Sequence, residues 1–224
     1  MIYVMSDIHG NRAAFDDILA QIQLQAEDEL YVLGDVIDRN PYGMEILLEL
    51  IQMRQAKVLL GNHEHMMLDV LDHPGDKMAL ERWYSNGGEI SHRMFDDLPE
   101  MLQRRIVNFL RRAPVNVSVQ AGDQEYLLVH GMPIYAYDRE VHNLVYGDLT
   151  TFSVWDRMDA DWKPQDKRVV VFGHTPTAYY QRRFPMEIWY GEGTIGIDCG
   201  AAYSGSGRLC CLRLDDNQVF YSAV

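Results

Sequence analysis

Short apolar runs along the chain alternate with segments whose apolar residues recur every three or four positions. Ile2–Met5 reads as a buried strand, and Leu30–Leu33 and Lys57–Leu60 repeat that pattern. Between them, Phe15, Ile18, Leu19 and Ile22 share one face of a helix, as do Met44, Leu47, Leu48 and Ile51. Pro41 stands ahead of the second helix, near a start that tolerates it. From about Asp72 to Arg112 the texture is mostly helical. Leu102, Ile106, Phe109 and Leu110 form an apolar face there, and Arg104, Arg105, Arg111 and Arg112 lie largely off it, as on a solvated helix surface. Beyond this the pattern turns to strand: Val115–Val119, Tyr126–Val129, Val169–Phe172, Thr194–Ile197, Arg208–Leu214 and Gln218–Tyr221. Strand, loop and helix in alternation predict an α/β fold with a second sheet. No repeat or Pro/Gly/Ser-rich linker divides the chain, so 1–224 reads as a single domain.

Composition narrows the class. Of 224 residues, 47% are hydrophobic and 24% charged, the balance of a globular protein rather than a disordered one. No apolar run approaches the ~20 residues of a membrane span. The net charge of −13 argues against nucleic acid or an anionic membrane as partner, because both are held by clustered Lys and Arg. Met1–Met5 carries no basic leader, and cleaving a signal peptide would remove the motif that begins at Asp7. Cys199, Cys210 and Cys211 are odd in number and two are adjacent, which disfavours a disulfide framework. A cytoplasmic protein is expected; the oligomeric state is left open.

The chemistry sits where strands end. Asp7-Ile8-His9, Gly34-Asp35-Val36-Ile37-Asp38-Arg39, Gly61-Asn62-His63-Glu64, His130-Gly131 and Gly173-His174 each follow an apolar run. Singly, each has a plain reading as a turn, a cap or a strand end. Together they form an inventory of carboxylate, imidazole and amide without thiolate. Residues two apart on extended backbone point to one side, so Asp7 and His9 can grip one cation. Asp35 follows a glycine that permits close backbone approach, and its two oxygens can bridge two ions. Asn62, His130 and His174 can serve the second. This donor set suits Mn²⁺, Fe or Zn in open sites. Two such ions ~3.5–4 Å apart generate hydroxide near neutral pH and clamp an in-line displacement at phosphorus.

In order and content, these segments resemble the metallophosphoesterase superfamily, and within it the bacterial and phage branch of the Ser/Thr protein phosphatases. That branch carries D-x-H, G-D-x-x-D-R, G-N-H-E, H-G and G-H-T, here from Asp7 to Thr175, with Ile197-Asp198-Cys199-Gly200-Ala201 resembling its closing strand. The resemblance implies a calcineurin-like α/β/β/α sandwich of four layers. It implies two divalent metal ions, Mn²⁺ being the first choice, the first held by Asp7, His9 and Asp35 and the second by Asp35, Asn62, His130 and His174. His63 would be the general acid, oriented by Asp38, and Arg39 would bind the phosphoryl group. Trp155-Asp156-Arg157 resembles the element that brings a second phosphate-binding arginine, Arg157.

Some positions depart from the pattern. Asn40 stands where glycine usually follows D-R, a place that can require positive φ. Leu60 replaces an arginine, and the eukaryotic S-A-P-N-Y segment is absent, though Tyr203 falls near its place. Trp83-Tyr84-Ser85-Asn86-Gly87-Gly88 resembles an N-G-G loop of this branch and reads equally as a helix C-cap. The resemblance implies a phosphoprotein or a phosphorylated small molecule as substrate. A symmetrical diadenosine tetraphosphate hydrolase is the alternative within the same fold, and Glu64, where the hydrolase typically has Asp, favours the phosphatase. An inactive scaffold would lack ligands or the acid histidine, and both sets are present.

Overall fold

The computed structural model describes residues 1–203 and 205–223. Two five-stranded mixed sheets carry the fold. The first contains β1 (Ile2–Met5), β2 (Glu29–Val32), β3 (Ala56–Val58), β9 (Cys210–Arg213) and β10 (Gln218–Tyr221), in the order β10-β9-β1-β2-β3. The second contains β4 (Asn116–Ala121), β5 (Gln124–Val129), β6 (Val169–Phe172), β7 (Trp189–Tyr190) and β8 (Thr194–Gly196), in the order β4-β5-β6-β8-β7. In each sheet the three strands that lead to functional loops are parallel: β1-β2-β3 in one, β5-β6-β8 in the other.

Side-chain alternation explains the layering. Val4 of β1 faces a core shared with Tyr31, Leu128, Val171 and Leu212, which lies between the sheets. Its neighbours Tyr3 and Met5 face the opposite way, into a core with Phe15, Ile18, Met44 and Leu47. These last belong to α1 (Arg12–Ile22) and α2 (Gly43–Gln52), so helices cover the outer face of the first sheet. On β5 and β6 the alternation recurs, with Leu127, Val129, Val170 and Phe172 packing outward against Phe152 and Met158. Two inner sheets between helical layers make the predicted four-layer sandwich. A parallel sheet whose strands carry apolar residues on both sides must be covered on both faces.

The helical stretch after β3 consists of α3 (Asn62–Asp72), α4 (Lys77–Ser85), α5 (Glu89–Asp96) and α6 (Glu100–Leu110). Two further helices, α7 (Arg139–Tyr146) and α8 (Leu149–Trp155), connect β5 to β6. The sequence pattern had not marked them, although a parallel β5–β6 pair needs a crossover connection. Among the described residues no helix is long and apolar enough to cross a membrane.

Candidate phosphoester site

The parallel strands of both sheets deliver their C-terminal loops to one end of the sandwich, where open α/β sheets place ligands. Asp7 and His9 follow β1, Asp35 and Asp38 follow β2, and Asn62 and His63 open α3 after β3. His130 follows β5 and His174 follows β6. All eight side chains are buried. Arg39 is exposed beside them, its Nη2 lying 3.3 Å from Nε2 of His63.

The backbone brings them together differently from the expectation. Asp7 (φ 56°) and His9 (φ 47°) are left-handed, not extended, so alternation along a strand does not aim them. The β1 and β2 loops instead lock together: His9 N–H donates to Asp35 O at 2.9 Å and Gly10 N–H to Val36 O at 2.8 Å. Asp35 (φ 54°), Asp38 (φ 72°) and Arg39 (φ 68°) are left-handed as well, whereas Asn40, expected to need positive φ, does not have it. Asn40 contributes through its side chain, Nδ2 donating to His9 O at 2.9 Å. Glycine at 34 is required, since its φ is +100° and a Cβ would meet Gly61 Cα at 2.5 Å. This is how the β2 and β3 loops touch.

Hydrogen bonds set the imidazole tautomers. Nδ1–H of His9 donates to Ile37 O (3.0 Å), Nδ1–H of His130 to Leu33 O (2.7 Å) and Nε2–H of His174 to Trp155 O (3.1 Å). A backbone acceptor on one nitrogen leaves the other bare, the usual arrangement behind a metal-binding histidine. His9 Nε2 lies 3.6 Å from Asp35 Oδ2, and His130 Nε2 lies 3.4 Å from Asp35 Oδ1. His130 Nε2 also stands 2.9 Å from Asn62 Oδ1, two lone-pair atoms face to face, which a shared cation would relieve. Burial lowers the pKa of His9, His130 and His174 and keeps them neutral. Burial first, then the charges of Asp7 and Glu64, holds the Asp35 carboxyl well above its usual range. Neutral imidazoles around desolvated carboxylates fit divalent cations.

Among the described residues, two groups have ligand atoms within 4.8 Å of one another: His9, Asp35 and His63, and Asp35, His130 and His174. Asp35 belongs to both. Asp7 Oδ1 lies at 4.0 Å from His9 Nε2, while its Oδ2 accepts from Ser6 Oγ (2.5 Å) and His174 N–H (2.9 Å). His63 is near enough to be grouped with the first set, yet its Nδ1 is engaged by Asp38 Oδ2 at 2.6 Å. That oxygen also accepts Trp83 Nε1–H at 2.8 Å, and Ser91 Oγ accepts Asp38 N–H at 2.8 Å. Burial pushes the Asp38 carboxyl up to about 7 against these hydrogen bonds and the Arg39 charge. Burial and Arg39 lower the pKa of His63.

Residues outside the predicted set complete the architecture. Glu64, noticed in the sequence only as a mark of one branch, is fully buried and accepts four backbone N–H groups. Its Oε2 takes Asp35 (2.9 Å) and Gly61 (3.2 Å), and its Oε1 takes Val36 (2.8 Å) and Ile37 (3.3 Å). A glutamate three residues past a helix cap is a legible capping signal, though its reach across to β2 is not. Asn86 caps α4, and the glycine after it holds Arg39: Arg39 N–H donates to Gly87 O at 3.1 Å. A Cβ at Gly88 would overlap the Trp83 ring. The helix C-cap reading of that loop holds. Arg157 is exposed and reaches the same region, with Nη1 donating to His174 O and Thr175 Oγ1 at 3.2 Å each.

Residues 1–197 match the family model for calcineurin-like phosphoesterases. The symmetrical bis(5'-nucleosyl)-tetraphosphatase of Erwinia tasmaniensis is 22% identical over 97% of this chain and 95% of its own length. Serine/threonine-protein phosphatase 2 of Salmonella typhimurium is 28% identical over 61% of each chain. A crystal structure of a protein provisionally named a diadenosine tetraphosphatase superposes with a TM-score of 0.64 at 19% identity, covering 98% of this chain and 91% of that one. This likeness bears on the fold alone. The chain belongs to the calcineurin-like phosphoesterase family, hydrolases of phosphoric esters with a dinuclear metal centre.

Proposed function

We propose that the chain is a phosphomonoesterase acting on phosphoserine and phosphothreonine in proteins. The observation that carries this reading is the His63–Asp38 pair, which holds Nε2 of His63 3.3 Å from Nη2 of Arg39. A serine or threonine alkoxide is a poor leaving group and needs a proton. Burial favours the net-neutral state of the pair. In either arrangement of that state, imidazolium with carboxylate or imidazole with carboxylic acid, Nε2 carries a proton. Because a guanidinium can only donate, the 3.3 Å contact has Nε2 as acceptor, and protonating the pair would turn Nε2–H toward a leaving-group oxygen instead. Arg39 and Arg157 would neutralise and orient the phosphoryl group, Arg39 through its planar fork. Asp7, His9 and Asp35 would hold one divalent ion and Asp35, Asn62, His130 and His174 a second, Mn²⁺ before Fe or Zn. Bound there, the ions supply charge neutralisation and a nucleophile at neutral pH.

The count of cations favours a monoester. Arg39 and Arg157 suit a dianion, while a dinucleoside tetraphosphate brings about twice that charge. Leu60, in place of an arginine, is buried in the core. Glu64 does not decide between substrates, because its carboxylate is spent on backbone N–H groups. The near-full-length alignment with the Erwinia tetraphosphatase supports the second reading, hydrolysis of diadenosine tetraphosphate. Rates on a phosphoserine peptide and on diadenosine tetraphosphate, measured on one Mn²⁺-loaded preparation, separate them. A higher kcat/KM on the peptide is expected, and faster symmetrical cleavage of the dinucleotide overturns the first reading.

A further inference from the structure

The edge of the first sheet carries a second feature, remote in sequence from the motifs above. β3 ends that sheet, pairing only with β2. Leu30 N–H donates to Gln55 O and Leu59 N–H to Val32 O, so the odd-numbered residues of this stretch face β2. By the alternation of a parallel ladder, Ala56 and Val58 turn their polar groups outward. Ala56 N–H is satisfied by Met53 O and Leu60 N–H by Pro114 O. Val58 N–H and the Ala56 and Val58 carbonyls point to the same outer side of the register. That side opens onto a groove of about 620 Å³ lined by Ile51, Val58, Phe109, Pro114 and Val117 and flanked by Arg105 and Arg112.

The arginines give the groove its sign. Of the four on this part of the chain, Arg104 pairs with Glu100 and Arg111 with Asp72. Arg105 and Arg112 have no acidic partner among the described residues, and the chain carries a net charge of −13. Arg105 lies within α6 and Arg112 two residues past its end, and both line the groove. Phe109 and the two arginines lie on the helical side of the β3 edge, while Val117 lies on the side of the second sheet. A strand added here would alternate its side chains between a basic side and an apolar one.

We infer that this groove docks an extended segment of a protein partner in which acidic and apolar residues alternate, the segment adding to the edge of β3. Main-chain hydrogen bonds from Val58 N–H and to the Ala56 and Val58 carbonyls supply the pairing, and the arginines select acidic residues. The inference does not depend on which phosphoester the active site hydrolyses. It is tested on the full chain with a fluorescein-labelled Glu-Val-Glu-Val-Glu-Val peptide by fluorescence anisotropy, and with amide correlation spectra of the ¹⁵N-labelled protein. Saturable binding with a shift of the Val58 amide is expected. N-methylating alternate peptide amides in one register, or combining Arg105→Glu with Arg112→Glu, should each weaken binding at least tenfold, leaving turnover of p-nitrophenyl phosphate unchanged. No saturable binding, binding indifferent to both changes, or shifts confined elsewhere would overturn the inference. A dimer that the peptide does not dissociate and that the double substitution abolishes would overturn it too, by assigning the edge to a second copy.

Discussion

Replacing Glu64 by Gln tests whether the site is held together by this one carboxylate. Each of its oxygens accepts two backbone N–H groups, from Asp35 and Gly61 on one and from Val36 and Ile37 on the other. An amide can present its oxygen to one pair only, and its NH₂ would then face two donors. Leaving two buried N–H groups unsatisfied costs about 1–3 kcal/mol each. Removing the charge offsets part of this, because burial has already pushed the Glu64 carboxyl up to about 7. The lower half of the range, about 2–4 kcal/mol, is the expected loss. For a chain of this size that is a fall in Tm of roughly 4–16 °C. Thermal unfolding followed by circular dichroism in excess EDTA isolates this effect from metal binding. Mn²⁺ affinity should fall as well, because Asp35 N–H anchors the loop that carries the shared carboxylate. A Tm within about 2 °C of wild type would refute the reasoning.

The other expected outcomes concern the reaction. Asp35→Asn should lower activity more than Asp7→Asn, because Asp35 alone belongs to both candidate groups. Metal content by plasma emission should approach two ions per chain in the wild type, and full turnover after exhaustive chelation would contradict this. His63→Asn should slow phosphoserine peptide hydrolysis by roughly 10²–10⁴-fold, the scale of general acid catalysis. It should slow p-nitrophenyl phosphate less, since that leaving group departs without a proton; equal losses with metal loss would make His63 a ligand. Arg39→Lys should lower kcat/KM with metal binding intact, because an ammonium cannot contact two phosphoryl oxygens as a planar fork does. Unchanged kinetics would place Arg39 away from the phosphoryl group.

Much of the site was legible because its residues sit at strand ends, where composition changes abruptly from apolar to metal-binding types. Val169–Phe172 and Gln218–Tyr221 coincide with β6 and β10 residue for residue. Helices α7 and α8 escaped for a physical reason: with eight and seven residues, each is too short to establish a period. Their caps were the available signal, Asp138 accepting from Glu140 and Val141 N–H groups and Asp148 from those of Thr150 and Thr151. β7, with two residues, leaves no pattern at all. Among site residues, Trp83, Ser91 and Glu64 were hidden because they act on backbone and second-rank groups. No motif announces that an indole N–H and a hydroxyl from the α4–α5 region will meet Asp38.

What the sequence could least reveal is backbone conformation, and there the site differs most from the rest of the chain. Of nine described non-glycine residues with positive φ, six are Asp7, His9, Asp35, Asp38, Arg39 and His174. A left-handed conformation costs an ordinary side chain roughly 1–2 kcal/mol, so six together approach the whole stability of a typical domain. Asp is the most tolerant of them; histidine and arginine are less so. Such strain persists only where surrounding contacts over-determine it. Here the contacts are specific: the β1–β2 loop ladder, the Glu64 clamp, Gly87 O on Arg39 N–H, and Asp7 Oδ2 on His174 N–H. Turning the chain sharply at each strand end lets side chains from five loops converge on one point without lengthening any loop. The cost falls on buried hydrogen bonds in the same loops, so residues that offer no ligand atom become as necessary to the site as those that do. That is why the motifs extend past the donor atoms to Gly34, Gly61 and Glu64, whose contribution is to make the left-handed turns the most stable path available.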